Sequence, residues 1–158
     1  MGERYSKIWK CEVKGRDLGK RFLITEMPAA KGEAWAYRAL LALIGNNAQL
    51  PDGFEKTGMA GLAQIGFRGL MGLPWFTVQP LLDELMECIQ IITEPKTNFA
   101  RALQDDANDI EEIATRMVLK WEVFKLHVDF SEAGVQSLIE RVKAMAGQRK
   151  NTETGSPA

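Results

Sequence analysis

The chain has 158 residues, of which 46% are hydrophobic and 26% are charged, with a formal net charge of -1. This composition is that of one globular domain, long enough to bury a core. The near-neutral charge gives no overall attraction to nucleic acid or to an anionic membrane, so we expect neither as a partner.

The cysteines and the first residues indicate a cytoplasmic protein. Cys11 and Cys88 are far apart and form no CxxC pair, so neither a zinc site nor a disulfide framework is suggested. The first ten residues, MGERYSKIWK, contain no apolar run of signal-peptide length. We therefore expect the chain to remain in the cytoplasm with both thiols reduced.

Residues 5–27 predict a β-hairpin. Trp9, Cys11 and Val13 alternate with lysine and glutamate, which is the period of a strand with one buried face. The turn sequence GRDLG follows, and FLIT then continues as a second strand.

The next segments predict helices. Ala29 to Ile44 are helical in composition and offer little polar surface, so we expect this helix to be central, with GNN ending it in a left-handed conformation. After Pro74, Thr77 is expected to cap a later helix that carries Pro80 in its first turn. The residues IIT at 91–93 predict a short strand, and a polar connection follows it.

The C-terminal part predicts two more helices, at about Asp109 to Phe130 and Ser131 to Ala146. Asp109 and Glu112 are spaced like a capping box, with acids at the positive end of the first of these helices. Residues 148–158 lack apolar side chains apart from the terminal alanine, which predicts a disordered tail. The fold class expected from these elements is α+β, mainly α. One domain over residues 1–147 has an N-terminal hairpin packed on a bundle of about five helices, which span residues 29–146.

A glycine-rich segment, GMAGLAQIGFRGLMG, precedes Pro74. It lacks the Lys-Ser/Thr of a phosphate-binding loop, and Gln64 and Arg68 interrupt it as a membrane span. At about 100° per residue, all five glycines project into an arc of roughly 140° on a helix. We therefore predict a helix whose glycine face packs closely against the central helix or against a second subunit. The glycines are Gly58, Gly61, Gly66, Gly69 and Gly72.

The helix from Asp109 to Phe130 has two apolar stripes at helical spacing. The first comprises Ile110, Ile113, Ala114, Met117, Trp121, Phe124 and Val128. The second comprises Leu119, Val123, Leu126 and Phe130. Such a helix is either sandwiched within its own domain or partly reserved for another chain.

The sequence offers little for catalysis. His127 is the single histidine, so a histidine-assisted nucleophile would need it, with Ser131, Ser137 or Cys88 as the attacking group. Its place beside an apolar stripe favours a partly buried structural histidine. The acidic run DDANDIEE lacks the glycine and final glutamate of a calcium loop. We predict no catalytic residues, no metal site and no cofactor.

Four apolar, largely helical segments carry a family resemblance: FLITEMPAAKGEAWAYRALLAL, GMAGLAQIGF, LLDELMECIQII and DIEEIATRMVLKWEVFKLHVDF. In these segments, over about residues 5 to 130, the chain resembles the tail assembly chaperones of long-tailed bacteriophages. The resemblance implies a non-catalytic protein that binds the tape measure protein and keeps it soluble. It also implies help in polymerising tail tube protein around that partner, in the host cytoplasm, without retention in the mature virion.

A chaperone of this kind needs apolar surface that contacts amphipathic helices, and self-association into a homo-oligomer would protect that surface. The candidate interface residues are Leu119, Val123, Leu126 and Phe130, together with Gly61, Gly66 and Gly69. Two alternatives stay open: a structural virion protein, such as a tail completion or connector subunit, and a small enzyme using His127.

Overall fold

A four-stranded antiparallel sheet organises the part of the chain that this computed structural model describes, which comprises residues 3–46, 66–130 and the single residue 144. The strands follow the sheet order β1-β2-β3-β4, so each pairs with its neighbour in the sequence. Their bounds are Ser6–Lys10 (β1), Arg21–Thr25 (β2), Ile89–Ile92 (β3) and Ala100–Ala102 (β4).

The predicted N-terminal hairpin is confirmed. β1 and β2 pair with Trp9 opposite Phe22, and the two rings lie 6.0 Å apart between centroids. Phe22 is fully buried on the face of the sheet that forms the core. The turn closes with a 2.9 Å hydrogen bond from the Gly19 N–H to the Cys11 carbonyl, and Gly19 has a φ of +86° that glycine adopts without strain.

The predicted short strand is also present, shifted to Ile89–Ile92. It lies inside the sheet between β2 and β4, and Ile89 and Ile91 pair with the buried Ile24 and Phe22 on the core face, while Ile92 is buried on the opposite face. β4 was expected to be a polar connection. Its three residues, ARA, are too few and too mixed to show the alternation of a strand, and the strand exists because β3 supplies a partner.

The described residues contain four α-helices rather than about five. They are Ala29–Gly45 (α1), residues 66–71 (α2), Trp75–Met86 (α3) and Ile113–Phe130 (α4), and a short 3-10 helix spans Asp105–Ala107. The helix predicted at Ser131 to Ala146 lies outside the described residues apart from Ala144, which is helical and exposed, and the tail predicted at 148–158 lies wholly outside them. The α+β class is confirmed, with the hairpin as its first element.

Two helix ends differ from the sequence predictions. α3 begins at Trp75 because the Pro74 carbonyl already accepts hydrogen bonds from the backbone N–H groups of Thr77 and Val78. Thr77 is therefore inside the helix and is not its cap, and Pro80 lies beyond the first turn. α1 ends at Gly45, and neither Gly45 nor Asn46 has a positive φ. Asn46 Nδ2 donates to the Ala42 carbonyl at 2.8 Å, and Asn47, the third residue of the predicted stop, lies outside the described residues.

α1 is not a central helix. Trp35 and Ala39 face the core, and the Trp35 indole N–H donates to the Leu81 carbonyl of α3 at 3.0 Å. Tyr37, Leu40 and Leu41 are exposed on its remaining surface. The apolar residues along this helix therefore exceed what the described core takes up.

A residue far away in the sequence caps the start of α4. Asp17, in the hairpin turn, accepts hydrogen bonds from the backbone N–H of Glu111 at 2.9 Å and of Glu112 at 2.8 Å. These are donors that precede the first helical turn and need an acceptor. Asp109 was expected to begin this helix in a capping box. Instead it forms a two-pronged ion pair with Arg101, with both N–O distances at 2.7 Å, and the helix begins at Ile113.

Candidate protein-binding surface

α4 packs on α3 and on β2 with the stripe that was expected to meet a partner. Leu119 and Val123 are 0% exposed and Leu126 is 3% exposed, so the interface predicted at these three residues is wrong for this conformation. They align with the fully buried Thr115, whose Oγ1 lies 3.8 Å from the Cys11 Sγ. This polar residue made the core-facing side of α4 hard to recognise.

The other stripe of α4 is the one that reaches the surface. Ile113 is 79% exposed and Met117 is 60% exposed, one helical turn apart on the same face. The next turns of this stripe, Trp121 and Phe124, are half-buried. The helix is therefore sandwiched only along its C-terminal half, and its first two turns present apolar side chains to solvent.

The described part of the glycine segment packs inside the chain. The Phe67 ring lies 5.4 Å from Trp121 and 5.6 Å from Phe124 between centroids. A Cβ on Gly66 would lie 3.5 Å from Phe124 Cζ, and one on Gly69 would lie 2.9 Å from Leu43 Cδ2 of α1.

Close helix packing thus accounts for Gly66 and Gly69, which are half-buried, and the partner interface expected at these two glycines stays a prediction. Gly69 lies close to α1, as predicted for the glycine face. Gly61 and the side chain of Phe130 lie outside the described residues, so the interface predicted there stays a prediction.

Exposed apolar side chains continue from α2 into α3. Met71 follows Phe67 by one turn, and the first two residues of α3, Trp75 and Phe76, are also exposed, Phe76 at 88%. We name the set formed by Met71, Trp75, Phe76, Ile113 and Met117 the apolar surface. Met71 and Met117 each lie one turn from a member of the Phe67–Trp121 contact, so they share the helix faces that meet there.

Charged residues of both signs lie beside this surface, with Glu112 directly before Ile113 in the sequence and Asp83 close enough to Lys120 to affect its pKa. Arg116 lies between Ile113 and Met117 in the sequence, with its guanidinium 3.8 Å from the Asp105 carboxylate. Burial lowers the pKa of the Lys120 ammonium, and the nearby charge of Arg116 lowers it further.

His127 has the geometry of a structural histidine. Its Nε2 accepts a hydrogen bond from the Met27 backbone N–H at 2.9 Å. Its Nδ1 lies 2.8 Å from the Val123 carbonyl, to which it donates in the tautomer that this arrangement requires. Both ring nitrogens are therefore engaged with backbone groups, joining α4 to the residue that follows the hairpin.

The described candidate nucleophile does not pair with this histidine. Cys88 Sγ donates weakly to the Glu84 carbonyl at 3.7 Å, and burial raises the pKa of the Cys88 thiol to about 11. The thiolate that would act as a nucleophile is therefore scarce at neutral pH. Ser131 and Ser137 lie outside the described residues.

Two further classes of site are absent from residues 3–46 and 66–130. In these ranges, no group of three or more histidine, cysteine or acidic side chains is arranged to hold a metal ion. No helix of the same ranges is long and apolar enough to cross a membrane. Comparisons with protein-family models, with curated proteins and with solved structures gave no match for this chain.

Proposed function

We propose that this protein is a non-catalytic chaperone of phage tail assembly. Its partner is the tape measure protein. This chain binds the amphipathic helices of that partner and keeps the partner soluble while tail tube protein assembles. The chaperone acts in the host cytoplasm and leaves before the virion is complete.

The observation that carries the proposal is the apolar surface. Single exposed apolar residues are common on soluble proteins, but large side chains grouped on neighbouring helix ends mark interaction sites. Ile113 and Met117 are one turn apart on α4, while Met71 is the last residue of α2 and Trp75 the first of α3. These side chains on three helix ends offer apolar contacts to the i, i+3 and i+4 side chains of a partner helix.

The composition of the surface also suits a long and variable partner. Methionine has a flexible, polarisable side chain that adapts to differing shapes, and Met71 and Met117 are both exposed. Trp75 and Phe76 add large contact areas of the kind found at binding hot spots. The backbone hydrogen bonds of His127 support the non-catalytic part of the proposal.

Co-expression tests this function. The tape measure protein is produced alone and together with this chain, and its soluble fraction and co-purification are measured. We expect the tape measure protein to be soluble only in the presence of this chain and to co-purify with it. Unchanged solubility without a complex would contradict the proposal. Recovery of this chain from purified virions would favour a structural virion protein instead.

A further inference from the structure

An apolar groove of about 530 Å³ lies between α1 and α4, and none of the five residues of the apolar surface lines it. Gly32, Ala36 and Leu40 line it from α1, and Phe124 and Val128 line it from α4. The small side chains on α1 leave room for another helix to approach closely, since interhelical distance follows the size of the contacting residues. The groove therefore has the chemistry and shape to receive an apolar helix face.

The chain itself continues from the edge of this groove. His127 and Val128 line the groove, and the described part of α4 extends two residues further, to Phe130. A reversal over residues 131–134, SEAG, would suffice, because two to five residues join antiparallel helices; the predicted last helix would then begin a few residues after Ser131. The following residues can thus return beside α4 towards α1.

The sequence after this reversal carries one apolar face. At about 100° per residue, its large apolar side chains fall within an arc of about 120°. They are Val135, Leu138, Ile139, Val142 and Met145. Ser137 lies on the opposite side of the same helical projection.

The charges of the segment and the groove are complementary. Glu26 and Glu33 are the charged residues among those lining the groove, and both are acidic. Arg141 and Lys143 flank the apolar face of the segment, one on each side, so a basic group borders the groove once the segment docks.

We propose that the groove between α1 and α4 is the docking site for the chain's own residues 131–146. The segment fills the groove with its apolar face and shields Ala36 and Leu40 from water. This intramolecular contact uses a different surface from the one proposed for the tape measure protein, so either proposal can fail without the other.

Thiol labelling of the full chain tests the docking. Ala34 and Ala36 are both exposed residues of α1, but only Ala36 lines the groove. Ala36→Cys and Ala34→Cys variants are labelled with a maleimide at neutral pH, and their rate constants are compared. The native thiols interfere little, because Cys11 is buried and the Cys88 thiol has a pKa raised to about 11.

We expect the thiol introduced at position 36 to react about tenfold more slowly than that at position 34, because the docked segment must open before labelling. Leu138→Asp with Ile139→Asp should bring the two rates together, whereas Ser137→Asp, on the opposite side of the segment, should leave the difference unchanged. If the double variant does not fold, Val142→Asp replaces it.

Equal rates in the otherwise unchanged chain would overturn the proposal. Slow labelling at position 36 that survives Leu138→Asp with Ile139→Asp would also overturn it, because another occupant would then cover the groove. Protection that rises with protein concentration would identify that occupant as a second copy of the chain.

Discussion

Asp17 and Glu112 are 95 residues apart in the sequence, yet the Asp17 carboxylate accepts the Glu112 backbone N–H at 2.8 Å. The contact holds the hairpin turn against the start of α4. Lys20 Nζ, 2.8 Å from Asp17, reaches the Glu111 carboxylate as well at 3.2 Å. The turn also packs tightly, because a Cβ on Gly15 would lie 2.9 Å from Glu112 Oε1. One acidic residue thus links the sheet to the helix that exposes Ile113 and Met117.

Replacing Asp17 tests this link. Asp17→Ala should lower the free energy of unfolding by about 2–4 kcal/mol, because it removes a helix cap and leaves buried N–H groups without acceptors. Urea denaturation measures the change. Asp105→Ala is the matched control, because Asp105 is exposed and its ion pair with Arg116 is long, at 3.8 Å. It should change the free energy of unfolding by less than about 0.5 kcal/mol. Equal effects would show that Asp17 is not a structural link.

The same residue should make stability depend on pH. Burial alone raises the pKa of the Asp17 carboxyl, but hydrogen bonds from Lys20 and from the Glu111 and Glu112 N–H groups lower it to about 2, from an ordinary value of 3.8. Its stabilisation is therefore complete above about pH 4 and is lost as the pH falls towards 2. The difference in unfolding free energy between the unmodified chain and Asp17→Asn should shrink by about 2 kcal/mol over that interval. A constant difference would contradict the lowered pKa.

The glycines of α2 allow a matched comparison. Alanine favours a helix over glycine by about 0.8–1 kcal/mol, and Gly66→Ala adds only an ordinary contact at 3.5 Å. Gly69→Ala gains the same helix propensity, but its new Cβ would lie 2.9 Å from Leu43 Cδ2, so the Leu43 side chain must move. We expect Gly66→Ala to stabilise the chain. The Gly69→Ala variant should be less stable than the Gly66→Ala variant by about 1 kcal/mol, measured by thermal unfolding. Equal stabilisation would mean that the glycine face is not tightly packed against α1.

His127 should affect stability through its backbone contacts. His127→Ala leaves the Met27 N–H without its acceptor, so we expect a loss of about 1–3 kcal/mol in unfolding free energy with the fold retained. Lys125→Ala, which removes a partly exposed ion pair with Glu122, should cost less than about 1 kcal/mol. An unchanged stability in His127→Ala would show that these hydrogen bonds contribute little.

Local patterns in the sequence predicted the local structure well. The alternation around Trp9 gave the hairpin, and the apolar composition after Ala29 gave α1, because both depend on near neighbours. Local patterns do not indicate which side of a helix faces the core or which residues pair over a long distance in the sequence. Both stripes of α4 fit a helix, and contact with β2 and α3 decides that Leu119 and Val123 face inward. The Asp17 cap and the strand at Ala100–Ala102 likewise depend on partners far along the chain, so no local pattern indicates them.

The most direct test of the proposed function combines co-expression with substitutions on the apolar surface. Met117→Asp places a charge on that surface, whereas Leu41→Asp does so on the outer side of α1. The two residues are similarly exposed, at 60% and 65%, so both variants should fold. We predict that Met117→Asp loses most of the soluble, co-purifying tape measure protein and that Leu41→Asp retains it. Retention with Met117→Asp, or equal loss with both variants, would contradict the assignment of partner binding to the apolar surface.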